Sequence, residues 1–251
     1  MKIFLFKKIL TNHLHNISVL YDTCELNDNI TYERFLEDDT HYYDSYVLTY
    51  DTETLIGFLM YSYVYNIHEI RGLVHPDFRR KGIFTNMFTT IKSEHHFDDV
   101  IFVGKDNFPG IEQCAIKLGC TTSYHDFLME FDSSLFTPSE SKDLDIEFDE
   151  SDDTYYYYFD DALIGSCNIY EEKDTINIYE VFVEPPYRNR RFGHQIISDV
   201  LWDLINSGKN IRLHVTETNT PAVSLYKSCG FIVKDSIIYY QRTFSNEDEI
   251  N

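Results

Sequence analysis

Apolar and polar positions alternate in short blocks along most of this chain, and in each half the alternation gives way once to an amphipathic helical spacing. The stretch "YVLTYDTETLIGFLMYSYVY" from Tyr46 predicts two strands turning near Asp51 to Thr54, and "YYYYFDDALIGSCNIY" from Tyr155 predicts two more turning at Asp160 and Asp161. Helical spacing follows each hairpin: Ile83, Phe84, Met87, Phe88 and Ile91 in the first half, Ile196, Ile197, Val200, Leu201, Leu204 and Ile205 in the second. A β-like run comes next, "DDVIFVGK" from Asp98 and "NIRLHVTE" from Asn210. Each half then has a second helical stretch, ending at Leu118-Gly119 or Cys229-Gly230, and a last strand.

The matching order reflects an internal repeat. "VHPDFRRKGIFTNMFTTI" from Val74 aligns with "VEPPYRNRRFGHQIISDV" from Val183 at an offset of 109 residues. The pattern predicts two tandem domains of mixed α/β structure, residues 1–134 and 145–251, with residues 135–144 as linker inside the polar, Pro138-containing "SSLFTPSESKDLD". The copies differ at their starts. "LTNHLHNISVLYDTCEL" and "TYERFLED" read as helices before the first hairpin, whereas only "LDIEFDESDD" precedes the second, so the second copy is expected to lack the opening helices.

Composition narrows the classes. Of 251 residues, 43% are hydrophobic and 25% charged, the profile of a soluble globular chain, and 16% aromatic content suits strand-rich cores. The net charge of −21 argues against a broad nucleic-acid face and favours a cationic small molecule or basic peptide as partner. Five cysteines without a CxxC pair read as reduced thiols in a cytoplasmic protein. "MKIFLFKKIL" lacks the order of a signal peptide, and no run reaches the ~18 apolar residues of a membrane span. His13 with His15, and His95 with His96, have no ligand partners at metal spacing, so no metal is expected. Serine-nucleophile elbows, Walker loops and nucleic-acid motifs are absent from the sequence.

Against this acidic background "YRNRRFG", Tyr187 to Gly193, concentrates Arg188, Arg190 and Arg191 just before a helix. Positive charge at a helix start opposes the helix dipole, and both copies keep it. Unpaired backbone N–H groups plus arginine at that point suit a phosphate or pyrophosphate.

The second half resembles the GNAT superfamily of acyl-CoA-dependent N-acyltransferases. "VEPPYRNRRFG" follows that family's Val-x-Pro-x-Tyr-Arg-x-x-Gly-x-Gly/Ala signature, and "NTPAVSLYKSCGF" supplies Asn219, Ala222, Leu225, Tyr226, Gly230 and Phe231 of its second motif. The resemblance covers nearly the whole chain as a tandem pair. It implies two GNAT-like domains, each a mainly antiparallel twisted sheet with a central parallel pair flanked by helices, and acetyl-CoA as acyl donor. The coenzyme would contact Val181, Phe182 and Val183 along the strand, the loop residues Arg188, Asn189, Arg190, Arg191, Phe192, Gly193 and His194, and Asn219 and Tyr226 further on. Tyr226 would act as general acid toward the leaving sulfur, and Glu180, or secondarily Glu217, would take the amine proton. The acceptor is expected to be an amine-bearing small molecule or peptide. The alternative is a non-catalytic acyl-CoA-binding or protein-interaction module.

Three departures matter. Arg191 stands where the family has its first loop glycine, so the backbone there is expected to avoid a glycine-only conformation. In the first copy Phe84 replaces the small second residue and is expected to put a ring where the pyrophosphate would approach. Ala115 stands where the second copy has Tyr226, so the first copy is read as degenerate, Glu69 is given no role, and the copy is expected to help complete the acceptor site.

Overall fold

The computed structural model describes residues 1–9, 11–32, 42–108, 110–138 and 144–244. The chain forms two compact units, one of residues 1–124 together with the segment from Ile237 onward, the other His125–Ser236.

Unit 1 opens with strand β1 (Lys2–Phe6) and helix α1 (Thr11–Asp28), whose Ile17, Leu20, Tyr21 and Cys24 recur at helical spacing and are buried. Strands β2 (Ser45–Asp51) and β3 (Thr54–Val64) form the expected hairpin, with Thr52 in the left-handed conformation the tight turn needs. Strand β4 (Ile67–Val74) follows, then a single 3-10 turn at Pro76–Phe78 and helix α2 (Ile83–Glu94). Strand β5 (Asp99–Lys105), helix α3 (Ile111–Lys117) and strand β6 (Thr122–Phe131) come next. The second predicted opening helix, "TYERFLED", lies largely outside the described residues.

In unit 2, strands β7 (Asp145–Asp149), β8 (Thr154–Phe159), β9 (Ala162–Glu171) and β10 (Thr175–Val183) form an antiparallel run. Asp160 and Asp161 both take positive φ in the turn between β8 and β9. After a 3-10 turn at Pro185–Tyr187 come helix α4 (Phe192–Leu204), strand β11 (Asn210–Thr216), helix α5 (Thr220–Ser228) and strand β12 (Phe231–Thr243). Among the described residues no α-helix precedes the β8–β9 hairpin in this unit.

The sheet order is where chain order and spatial order part. In unit 1 the ladder runs β1, β2, β3, β4, β5 and then the end of β12, with Ile237 to Thr243 antiparallel to β5. In unit 2, β6 from residue 125 onward pairs antiparallel with β11, Asp126 opposite Thr216 and Glu130 opposite Arg212. The boundary expected near residue 135 follows chain order; the compact units follow these pairings. Each unit has one parallel pair, β4 with β5 and β10 with β11.

Helices α2 and α4 bury the residues their spacing marked, Ile83, Met87, Phe88 and Ile91 in one and Ile196, Ile197, Val200 and Leu201 in the other. A glycine on the hairpin admits each helix. A Cβ at Gly57 would lie 2.9 Å from both Ile83 and Met87, and one at Gly165 would lie 2.8 Å from Ile196 and 2.4 Å from the Phe182 carbonyl oxygen.

Candidate functional site

The parallel pair of unit 2 opens partway along its length. β10 pairs with β11 from Thr175 opposite Asn210 to Ile178 opposite Leu213, and the ladder stops there. On the other side, the β9 register shifts between Tyr179 and Phe182, and Glu180 takes φ 48°. This is a β-bulge: one extra residue leaves the ladder, the strand bends, and its backbone groups are released. Glu180 and Val181 leave the β9 ladder, which resumes at Phe182 opposite Ser166, and the strand from Tyr179 to Val183 lies beyond the end of the β11 ladder. Glu180 and Phe182 are exposed, whereas Val181 and Val183 are half-buried against the core.

The basic loop is built on backbone conformation. Asn189 and Arg191 take φ 61° and 67°, and left-handed residues alternating with ordinary ones turn successive N–H groups toward one concave face that suits an anion. Arg191 therefore adopts the conformation it was expected to avoid. It holds the N-cap position of α4 with ψ 10° and no side-chain cap, which leaves the first helical N–H groups without a side-chain acceptor.

The three arginines do different things. Arg188 Nε donates to the Val183 carbonyl at 2.8 Å, tying the loop to the strand end, and its guanidinium lies 5.4 Å from the Phe182 ring centroid. Arg190 lies 5.7 Å from the Tyr187 ring centroid. Arg191 is exposed. Phe192 is a core residue, 3% exposed and packed against Phe159 and Tyr187. His194 Nδ1 is 3.3 Å from the Ser198 hydroxyl one turn on. Gly193 is where α4, the end of β10 and α5 converge, since a Cβ there would stand 3.2 Å from Leu225 and 3.6 Å from Val183.

Next to Leu225, Tyr226 is 8% exposed, with its ring edge-on to Phe231 at 6.0 Å. Burial pushes its phenol up to about 12, so it stays protonated throughout the physiological range. Asn219 caps α5, its Oδ1 accepting from Ala222 N at 3.3 Å. Glu217 is engaged by His125, its Oε1 2.9 Å from His125 Nδ1 and 3.2 Å from that residue's backbone nitrogen. The side-chain hydrogen bond from His125 holds the Glu217 carboxyl below its ordinary range. His125 arrives on β6, whose pairing with β11 the local sequence pattern does not signal.

Unit 1 repeats the loop and loses the bulge. Arg80 and Gly82 take φ 61° and 78°, Arg79 Nε donates to the Val74 carbonyl at 3.0 Å, and α2 starts at Ile83. The β3–β4 register, however, runs unshifted from Gly57 opposite Val74 to Val64 opposite Ile67. Arg79 also pairs bidentately with Asp28 of α1 at 2.6 and 2.7 Å, and Tyr32 donates to the same carboxylate at 2.8 Å. Beside this loop lies a cavity of about 1180 Å³ whose walls include Phe84, Phe102, Ala115 and Leu118. The Phe84 ring is laid onto β4, where Gly72 admits it: a Cβ at Gly72 would stand 3.1 Å from that ring. The ring thus forms a wall and leaves the cavity open. Among the described residues, no group of three or more His, Cys, Asp or Glu side chains could hold a metal ion, and no helix is long and apolar enough to cross a membrane.

A duplicated α/β fold, with a parallel pair whose ladder stops partway, at Ile178 in unit 2 and at Arg71 in unit 1, and a strand-to-helix loop of left-handed residues in each copy, is the class these features define. The chain matches the Acetyltransferase (GNAT) family over residues 12–112 and again over residues 122–231, and it belongs to that family as a tandem. A GCN5-related N-acetyltransferase from Sphaerobacter thermophilus is similar with TM-score 0.78 and 14% identity, over 96% of this chain and 95% of that one. A tandem GNAT protein from the clavulanic acid biosynthesis pathway is similar with TM-score 0.68 and 11% identity, over 96% and 98%. A GNAT-family acetyltransferase from Colwellia psychrerythraea gives TM-score 0.61 and 11% identity, over 96% and 99%. No curated protein matches the sequence.

Proposed function

We propose that the protein is an acetyl-CoA-dependent N-acetyltransferase whose reacting centre lies in unit 2. The observation that carries this reading is the bulge at Glu180 on a splayed parallel pair, in the same unit as the buried Tyr226. Acetyl-CoA would supply an acetyl thioester to the primary amine of a small molecule or peptide.

The residues present fit that coenzyme. The left-handed alternation at Asn189 and Arg191 presents backbone N–H groups to a pyrophosphate, and Arg190 and Arg191 add charge-assisted donors. Arg188 contributes by fixing the loop to Val183. Beyond the end of the β10–β11 ladder at Ile178, the stretch Val181 to Val183 has no partner on its β11 side and offers an edge for an amide-bearing arm. Asn219 reads as a cap whose Nδ2 donor remains for that arm, since its Oδ1 holds the start of α5.

Tyr226 supplies a hydrogen bond to the departing sulfur. A phenol of about 12 facing a thiol of ordinary pKa ~8.5 makes complete proton transfer uphill, so its contribution is charge stabilisation in the transition state. The amine proton goes to Glu180, exposed at the bulge, ahead of Glu217, whose carboxyl His125 already holds in its charged form.

The test is thiol release from acetyl-CoA across a panel of polyamines, aminoglycosides, amino acids and basic peptides. Tyr226→Phe should lower kcat by about a hundredfold with little change in KM for acetyl-CoA. Unchanged turnover in that variant removes the tyrosine from the chemistry. Coenzyme binding with no release on any amine would favour the non-catalytic alternative.

A further inference from the structure

The end of the parallel ladder in unit 2 sets one more titratable group beside the bulge. Ile178 and Leu213 form the last β10–β11 pair, and both belong to the buried core that also holds Tyr226. Strand alternation sends the next residue of each strand to the opposite face. Tyr179 is 43% exposed there and the His214 side chain 54%. Glu180, which follows Tyr179, is exposed as well. The Tyr226 phenol thus lies on the core side of the sheet, and His214 stands on the open side.

His214 is held in place. Its Nδ1 lies 3.2 Å from Asp126 Oδ2, and the other oxygen of that carboxylate accepts from the Thr216 hydroxyl at 3.2 Å. The Asp126 side chain is 19% exposed, so the anchor is sheltered while the ring stays open. A carboxylate at Nδ1 keeps a proton on that nitrogen and leaves Nε2 as the proton acceptor. The β6–β11 register brings the two together, with Leu128 opposite His214 and Asp126 opposite Thr216.

Unit 1 has other residues at the matching register. Ile70 pairs with Phe102 there, both buried in the core, and Val103 follows Phe102. Tyr239 stands opposite Val103, with Ile237 two residues before it. Val103 and Ile237 therefore take the places of His214 and Asp126. The histidine and its carboxylate occur in the unit that has the bulge and the tyrosine.

Acetylation of an ammonium forms a C–N bond, breaks the C–S bond, and yields amide, thiol and one net proton. Passing that proton from an ammonium of pKa ~10.4 to a carboxylate of ~4.3 is uphill by about six units, and an imidazole of ~6.5 behind the carboxylate recovers about two. We propose that His214, with Asp126 as its positioning residue, carries the proton out of the site. Glu180 passes it through water to Nε2, Asp126 balances the imidazolium, and release to solvent restores both groups. This rests on the reading of unit 2 as the reacting centre, and the experiment separates the two.

With the amine that gives the fastest thiol release, His214→Gln should lower kcat about tenfold at unchanged KM for acetyl-CoA. The acid limb of the kcat–pH profile should move down by about two units, from the imidazole toward the carboxylate range. Asp126→Asn should give a smaller loss. Imidazole added to His214→Ala should restore most of kcat, a response that a misfolded variant would not give. Unchanged kcat in His214→Gln, or a loss with neither a shifted acid limb nor rescue by imidazole, overturns this inference; transfer in the parent that still depends on Tyr226 then leaves the reading of unit 2 standing. No thiol release from the parent on any amine overturns the reading of unit 2 and this inference with it.

Discussion

Replacing Arg191 by glycine sets two opposite effects against each other at one residue. Arg191 sits at φ 67°, ψ 10°, and a left-handed conformation costs a non-glycine residue about 1–2 kcal/mol. Glycine removes that cost, but its freer unfolded chain takes back about 0.5–1 kcal/mol. The remainder, about 0.5–1 kcal/mol, should raise the Tm of unit 2 by about 2–4 °C. Binding should move the other way. A unit charge about 5 Å from a phosphate at an effective dielectric near 20 contributes about 3 kcal/mol, and exposure of the side chain cuts this to about 1–1.5 kcal/mol. The expected loss is therefore about tenfold in affinity, read as the KM for acetyl-CoA in the thiol-release assay. Arg191→Lys keeps both charge and strain and should stay near the parent in both measurements. A glycine variant that is more stable and has an unchanged KM would refute the reasoning, because the backbone N–H groups alone would then account for the grip.

The remaining expectations concern stability and its pH dependence. Gly165→Ala should destabilise unit 2 by more than about 2 kcal/mol, because the new Cβ would meet the Phe182 carbonyl at 2.4 Å and backbone cannot yield. Gly57→Ala meets only the side chains of Ile83 and Met87, so its shift in urea midpoint should be smaller; equal shifts would contradict the packing argument. Burial, aided by Asp203, pushes Asp199 up to about 6 from 3.8, so the native state binds its proton more tightly and stability falls as pH rises through that window. Asp199→Asn should accordingly gain about 1 kcal/mol at pH 7.5, a figure already discounted for partial exposure, and nothing near pH 4; a gain that persists in acid would exclude the carboxylate as its cause. Asp28→Ala leaves Arg79 without its bidentate carboxylate and should cost unit 1 about 2–3 kcal/mol, an effect that should shrink when Arg79 is also replaced by alanine.

Much of each unit could be read from the sequence because the signals are local. The Asp160-Asp161 turn, the burial faces of α2 and α4, and the strand-to-helix loops depend on spacing and turn chemistry within a few residues. The pairing of β6 with β11 and of the β12 end with β5 could not, because alternation marks a strand's two faces without naming its neighbour. The bulge at Glu180 is hidden for a related reason: "IYEVFV" and "EIRGLV" align without a gap, and the one residue that β10 has in excess of β9 shows only in the partner's register. Glycine spacing does mark the helix crossings, since "LIGF" and "LIGS" put Gly57 and Gly165 at the same point of both hairpins, where each helix packs closely.

The two copies have drifted in complementary directions, which is more informative than decay alone. At the 109-residue offset, Gly72 and Phe84 of unit 1 correspond to Val181 and Gly193 of unit 2, so the large and small members have exchanged between strand and helix start. In unit 1 the exchange lets the Phe84 ring lie on the strand and bound a cavity. In unit 2 the small residue at the helix start lets Leu225 approach within 3.2 Å of where a Cβ would be, which brings the helix bearing Tyr226 up to the loop. A copy under no constraint would be expected to lose the loop's unusual dihedrals first, since each left-handed non-glycine residue, Arg80 in unit 1 and Asn189 and Arg191 in unit 2, costs about 1–2 kcal/mol. Arg80, Asn189 and Arg191 all retain them. The conformation kept at a cost in both copies is one whose N–H groups suit an anion, whereas the bulge and the tyrosine, which the proposed transfer would use, occur in unit 2 and not in unit 1.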